Sequence, residues 1–261
     1  MPNIQLASIN CHYQFDNFGH EKTLIFSNSL GTNLHMWEDN MDVLSHHFNI
    51  LRYDKRGHGA SSIPIHQNQI SIADLGNDVI ALLDYLQLDK VYFCGLSIGG
   101  LIGQYLGIHY PNRFHKIIIS NTAAKIGSEE GWKTRVKQVT EHGLQSILTA
   151  TGERWFTAAY HAKEPQKVQK ILQIFESNSL QGYIACCYAV AQADFSEKLF
   201  LLDVPTLIIA GTADQVTTLA DGKFLQKRIP NANLVTLDAA HLSNMEHPEE
   251  FAKHIIHFTQ H

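Results

Sequence analysis

Short apolar runs alternate along the chain with longer stretches in which apolar residues return every three or four positions. Thr23-Leu24-Ile25-Phe26, closed by Ser27-Asn28-Ser29, predicts a buried parallel strand. Asn49 to Tyr53 predicts a second, ending at Asp54 and the turn-rich Arg56-Gly57-His58-Gly59-Ala60-Ser61. Between Ser71 and Leu88, Ile72, Leu75, Val79, Leu82, Leu83 and Leu86 recur at helical spacing, with Ser71 as N-cap and Asp74 in the first turn. A strand at Val91 to Cys94, a helix at Gly99 to Tyr110 and a strand at Lys116 to Ser120 follow. Pro111 stops that helix because it has no N–H to continue the ladder.

The alternation pauses from Asn121 to about Asp194, where helical patterns such as Val168, Ile171, Leu172 and Phe175 occur without a clear strand. It resumes with a strand at Thr206 to Ala210, a helix around Leu219 to Arg228, a strand at Leu234 to Leu237 and a last helix from Pro248. This order predicts an α/β protein with a mostly parallel, doubly wound sheet. Residues 1–121 and 195–261 would form the core, and 122–194 a helical cap inserted into it. Repeats, charge runs and low-complexity linkers are absent from the sequence.

Composition narrows the classes. With 261 residues and 44% hydrophobic positions, one sizeable core is expected. A formal net charge of −5 offers no basic footprint for nucleic acid, and any acidic ligand must be met by a local cation. Met1 to Asn10 lacks the basic start and apolar run of a signal peptide, and no stretch reaches the ~18 apolar residues of a membrane span. Cys11, Cys94, Cys186 and Cys187 form no CxxC pair and read as reduced thiols in a cytoplasm. His46-His47 and the His254/His257 pair are the best metal candidates among sixteen histidines, but no ligand set converges, so no metal is expected.

Chemistry begins at Gly95-Leu96-Ser97-Ile98-Gly99, a G-x-S-x-G string that follows a predicted strand and opens a predicted helix. A sharp turn there needs small neighbours and would lift the Ser97 hydroxyl above the sheet as a nucleophile. Its partners should follow in the order acid, then histidine. His241, in Asp238-Ala239-Ala240-His241, lies just past a strand end and is the expected general base. Asp214 lies just after the preceding strand and is the expected orienting acid. Asp238 is its rival, although it shares a strand end with His241, and Asp194 is a weaker one. The oxyanion donors are expected to be the backbone N–H of Ile98 and of Leu30, the latter in the loop Asn28-Ser29-Leu30-Gly31.

Several strings resemble those of the 3-oxoadipate enol-lactonases. They include Phe26-Ser27-Asn28-Ser29-Leu30-Gly31-Thr32, Tyr53-Asp54-Lys55-Arg56-Gly57-His58-Gly59-Ala60-Ser61 and Phe93-Cys94-Gly95-Leu96-Ser97. In the cap they include Asn121-Thr122-Ala123-Ala124-Lys125-Ile126-Gly127, Arg154-Trp155-Phe156-Thr157 and Gly182-Tyr183-Ile184-Ala185-Cys186-Cys187, and near the C-terminus Asp238-Ala239-Ala240-His241-Leu242-Ser243-Asn244. The resemblance implies an α/β-hydrolase fold with an eight-stranded sheet and a cap after strand 6. It also implies cofactor-free hydrolysis of 3-oxoadipate enol-lactone to 3-oxoadipate in bacterial aromatic degradation. Ile98 departs from the methionine common in that family, and Gln215-Val216-Thr217 stands where prolines are frequent. A carboxylesterase or perhydrolase, a carbon–carbon bond hydrolase and a non-catalytic receptor would share the sheet motifs.

A small anionic lactone brings a carboxylate that must be desolvated, and an unpaired buried carboxylate is costly. A cap arginine should meet it. Trp132 and Arg135, three apart on a predicted helix, would share one face, and Arg154 and Lys125 are the competing cations. Trp155, beside Arg154 in a resembling string, completes the candidate binding set.

Overall fold

The computed structural model describes residues 3–6, 9–64 and 69–260. Residues 1–2, 7–8, 65–68 and 261 of the expected core segments lie outside the described residues. Eight strands run β1 (Asn3–Gln5), β2 (Asn10–Asp16), β3 (Thr23–Ser27), β4 (Asn49–Tyr53), β5 (Val91–Leu96), β6 (Phe114–Ser120), β7 (Thr206–Gly211) and β8 (Ala232–Leu237). They join one sheet in the order β1-β2-β4-β3-β5-β6-β7-β8. The β1–β2 and β2–β4 pairs are antiparallel and all others parallel. Ile25 pairs with Leu51 on one side and Phe93 on the other, and Phe93 pairs with Ile117, so one apolar row crosses the centre. Every residue of β3, β4, β5 and β7 is buried, which requires cover on both faces.

The described helices are α1 (Met41–Leu44), α2 (Ile72–Tyr85), α3 (Ile98–His109), α4 (Glu129–His142), α5 (Leu148–Trp155) and α6 (Ala158–Lys163). They continue with α7 (Pro165–Glu176), α8 (Leu180–Gln192), α9 (Leu219–Arg228), α10 (Ser243–Glu246) and α11 (Pro248–Gln260). The α2 entry is a capping box: the Asp74 N–H donates to Ser71 Oγ at 3.2 Å, and the Ser71 N–H donates to the Asp74 carboxylate at 2.8 Å. That helix ends at Tyr85, three residues short of the expected Leu88, because Gln87 takes a left-handed φ of 55°. Tyr110 caps α3 and Pro111 opens a 3₁₀ turn, so the predicted stop falls one residue early.

Two strands have no counterpart among the predicted elements. β1 is three residues long, too short for any period to register. In β2, Asn10, His12, Gln14 and Asp16 alternate with Cys11, Tyr13 and Phe15, a period-two signal that the search for continuous apolar runs passes over. Both belong to the antiparallel edge, where one face is open and continuous apolar runs are not needed.

Helices α4 to α8 all lie between β6 and β7. On α7, Val168, Ile171 and Phe175 are buried at helical spacing. Lys167 and Lys170 on that helix pair with Asp39 and Glu38 of the core, each at 2.8 Å, and the Leu242 N–H donates to the Trp155 carbonyl at 3.0 Å. Cys11, Cys94, Cys186 and Cys187 are buried and unpaired. His46 and His47 are exposed, and among the described residues no three His, Cys, Asp or Glu side chains gather as a metal site. Among the described residues, no helix is long and apolar enough to cross a membrane.

Candidate active site

Ser97 stands between the end of β5 and the start of α3 with φ 61° and ψ −115°, a strained conformation for a residue with a side chain. Hydrogen bonds to its backbone hold it there, among them one from the Leu101 N–H to its carbonyl at 3.2 Å. Its N–H donates to the Ser120 carbonyl at 2.9 Å, its carbonyl accepts from the Thr122 hydroxyl at 2.8 Å, and the Gly100 N–H donates to the same carbonyl at 2.8 Å. The flanking glycines are steric necessities. A Cβ on Gly99 would strike the Ser27 carbonyl, and one on Gly95 would strike the Gly99 carbonyl. The strain is local and the neighbours over-determine it, which leaves the Ser97 hydroxyl facing a pocket at the strand ends.

The loop after β8 brings His241 to the same pocket, and its Nδ1 lies 2.9 Å from Asp214 Oδ2. An ionised carboxylate only accepts, so Nδ1 carries the proton and Nε2 is free to act as a base. Among the described residues no hydrogen bond joins Nε2 to Ser97 Oγ, and catalytic bonds of this kind commonly close only on substrate binding. Asp214 receives four further donors: Asn121 Nδ2 at 3.0 Å, Thr217 Oγ1 at 2.9 Å, and the N–H groups of Val216 and Thr217 at 2.8 and 3.1 Å. Burial alone would raise its pKa. The neighbouring His241 and these hydrogen bonds outweigh burial and hold it at about 2. Gln215-Val216-Thr217, in place of the family's prolines, thus supplies two N–H donors to the acid.

Asp238 is exposed, accepts from the Thr212 hydroxyl at 3.1 Å and makes no contact with His241 among the described residues. Asp194 is on the surface beside Lys125. Asn121 is a residue that pattern reading missed. Its Nδ2 donates to Asp214 and to the Ala240 carbonyl, both at 3.0 Å, while its Oδ1 accepts from the Ser120 and Ser243 hydroxyls. It ties the acid to the histidine loop. The only hint in sequence is a polar residue directly after a buried strand.

The low pKa of Asp214 has a consequence for stability. A carboxylate depressed from 3.8 to about 2 stabilises the fold above about pH 4, and the contribution of about 2 kcal/mol is lost as pH falls through 2. Urea unfolding at about pH 5 and pH 3 should therefore show a smaller acid-induced loss for Asp214→Asn than for the unaltered chain. Equal losses would mean that the carboxylate is not held down.

Leu30 and Ile98 both line the pocket beside Ser97. The Ser29 N–H donates to Met36 Sδ at 3.4 Å and the Gly31 N–H to His58 Nε2 at 3.0 Å, whereas the Leu30 N–H meets no protein acceptor among the described residues. Neither does that of Ile98, the first residue of α3. Two free N–H groups beside a serine hydroxyl, one at a helix N-terminus, suit a developing oxyanion. The methionine-to-isoleucine departure at 98 leaves this backbone group intact.

The pocket has a volume of about 460 Å³, counting space open to solvent, and helices α4, α5 and α8 line it with Trp132, Arg135, Thr151, Arg154, Trp155 and Tyr183. Trp132 and Arg135 do share one face of α4, with the guanidinium 5.8 Å from the indole ring centre. Arg135 Nε donates to the Tyr183 hydroxyl at 2.7 Å and Nη2 to Thr151 Oγ1 at 3.2 Å. Among the described residues neither Arg135 nor Arg154 has a carboxylate within ion-pair distance. Burial and then the nearby Arg135 cation push the Arg154 pKa down, outweighing the opposing pull of Tyr183 and Glu153. Lys125 corrects an expectation: it is outside the pocket lining, half-exposed and paired with Asp194 at 3.2 Å. Following a strand end did not fix which way its side chain would run.

Comparison with known proteins places this geometry. Residues 22–248 match the family model of the alpha/beta hydrolase fold. The chain is 46% identical over 228 residues to 3-oxoadipate enol-lactonase 2 of Acinetobacter baylyi, covering 87% of this chain and 85% of the relative. It is 42% identical to 3-oxoadipate enol-lactonase 1 of the same organism, with the same coverage. The crystal structure of the enol-lactonase from Burkholderia xenovorans LB400 superposes with a TM-score of 0.96 at 37% identity over the full length of both chains. The chain belongs to the α/β-hydrolase fold family and, within it, to the 3-oxoadipate enol-lactonases.

Proposed function

We propose that the chain hydrolyses 3-oxoadipate enol-lactone to 3-oxoadipate through an acyl-enzyme on Ser97, in the β-ketoadipate route of aromatic breakdown. The observation that carries this reading is the pairing, in one pocket, of the Ser97 hydroxyl with two cap guanidiniums that, among the described residues, have no carboxylate within ion-pair distance. Such a pocket fits an ester that is itself an anion. The enol-lactonase relatives support the same substrate.

In this mechanism His241 Nε2 takes the Ser97 proton as Oγ attacks the ring carbonyl. The tetrahedral oxyanion rests on the Leu30 and Ile98 N–H groups. Its collapse breaks the ring C–O bond. The departing enolate oxygen, a better leaving group than an alkoxide, takes the proton from the His241 imidazolium, and the enol so formed tautomerises to the ketone, leaving His241 neutral again. Because the ester is cyclic, the whole molecule stays attached to Ser97. A water deprotonated by His241 then frees 3-oxoadipate. Asp214 stays ionised and stabilises the imidazolium without taking its proton. Every step uses side chains and backbone of this chain, and no cofactor is called on. Residues 122–194 act as the cap, and four buried thiols without disulfides suit an enzyme of the cytoplasm.

Arg135 and Arg154 would bracket the carboxylate of the acetate arm. A hydrogen bond between charged groups contributes about 1.5–3 kcal/mol. Arg135→Met should then raise KM for the enol-lactone by roughly ten- to a hundredfold and leave a neutral aryl ester almost unaffected. Equal effects on both substrates, or none on either, would move the carboxylate away from Arg135.

A further inference from the structure

The loop after β4 contains a buried cation, Lys55, that the mechanism above does not use. Lys55 is 1% exposed, yet among the described residues no carboxylate lies within ion-pair distance of its ammonium. Its Nζ instead donates to the Ser29 carbonyl at 2.6 Å and to the Thr32 carbonyl at 3.5 Å. Burying an ammonium against carbonyls alone is expensive, and an aliphatic side chain would pack there at lower cost.

The Ser29 carbonyl and the Leu30 N–H belong to one peptide plane. In a trans peptide they point in opposite directions, and the structure has no cis bonds among its described residues. The Ser29 carbonyl also accepts from Thr32 Oγ1 at 2.9 Å and the Thr32 N–H at 3.3 Å. Among the described residues, Lys55 adds the one charged contact to the set that turns the Leu30 N–H to the pocket beside Ser97. It also draws electron density from that peptide, which makes the N–H a stronger donor. The neighbouring peptides are held as well. The Gly31 N–H goes to His58 Nε2 at 3.0 Å, and the Gly31 carbonyl accepts from Asn178 Nδ2 of the cap at 2.8 Å. Gly31 itself sits at φ 81°, where a side chain would collide with the Phe175 ring.

We infer that Lys55 is a positioning residue for catalysis: through the Ser29 carbonyl it orients and polarises the Leu30 N–H as an oxyanion donor. The inference rests on the acyl-enzyme reading given above. Burial lowers the Lys55 pKa to about 8, so the ammonium is charged at neutral pH. A reversed Ser29–Leu30 peptide would aim a carbonyl at the oxyanion and an N–H at the ammonium, and Lys55 opposes that state electrostatically.

The test compares the unaltered chain, Lys55→Met and Ser97→Ala with the enol-lactone. Loss of one oxyanion donor costs roughly 10²–10³ in kcat. Lys55→Met should therefore lose about 10²-fold in kcat, with KM nearly unchanged. Its affinity for an arylboronic acid, which forms a tetrahedral adduct on a serine hydroxyl, should fall in parallel. Its thermal midpoint should hold or rise, since a buried charge has gone. A folded Lys55→Met with normal kcat and normal boronate affinity would overturn the inference, provided Ser97→Ala is inactive. An active Ser97→Ala would instead bring down the parent reading. If Lys55→Met does not fold, the boronate adduct of the unaltered protein decides. The adduct oxygen should lie about 2.7–3.1 Å from the Leu30 nitrogen, with Ser29 still bound to Lys55. An oxygen placed away from Leu30, or a Ser29 carbonyl released from Nζ, overturns it.

Discussion

Ser97→Ala is expected to lower kcat for the enol-lactone by roughly 10⁴-fold or more, His241→Ala by a similar factor, and the double variant by little more than either. The expectation follows from the division of labour in the pocket. A serine hydroxyl without a base is a poor nucleophile, and a base without the hydroxyl has no proton to take, so the first loss already removes what the second would. What remains is substrate held against the Leu30 and Ile98 N–H groups. The fold should survive both changes. Ser97 adopts its strained φ of 61° through backbone bonds to Ser120, Thr122 and Gly100, none of which needs its hydroxyl. Kinetics of the three purified variants, with near-ultraviolet circular dichroism to confirm folding, test this directly. Losses that multiply in the double variant would mean that Ser97 and His241 act separately.

The second large effect separates two aspartates. Asp214→Asn should cost about 10⁴-fold in kcat, because an amide cannot hold the Nδ1–H tautomer or stabilise an imidazolium. Asp238→Asn should leave turnover nearly intact, since its side chain is exposed and its hydrogen bond is to the Thr212 hydroxyl. Asp214 is fitted for the task by its five donors, which outweigh its burial and hold its pKa at about 2. The opposite ranking, with Asp238→Asn inactive and Asp214→Asn active, would reassign the acid and require the loop after β8 to move.

Which parts of this architecture are legible in sequence follows from burial. β3, β4, β5 and β7 are covered on both faces, so each is mostly apolar and stands out from its surroundings, even β4 with its buried Asn49 and Arg52. β1 and β2 lie on the antiparallel edge, and their mixed composition carries a weaker signal. Ser97 is legible because a tight turn demands glycines at fixed offsets, a constraint that backbone sterics write into the sequence. Helical spacing was enough to put Trp132 and Arg135 on one face, and the structure turns that face to the pocket. Direction is harder. Lys125 follows a strand as closely as a site residue would, but it runs outward to Asp194. Asn121 and Lys55 act through backbone carbonyls and a neighbouring carboxylate, and such partners leave no pattern along the chain. Their roles appear only when the strand ends are brought together.

The most direct measurement is the ultraviolet absorbance of 3-oxoadipate enol-lactone incubated with purified protein, run beside phenyl acetate and beside Ser97→Ala. The account predicts rapid loss of the lactone, a specificity constant far above that for phenyl acetate, and no enzymatic loss with Ser97→Ala. Efficient Ser97-dependent hydrolysis of phenyl acetate, with the enol-lactone decaying only at its spontaneous rate, would contradict it.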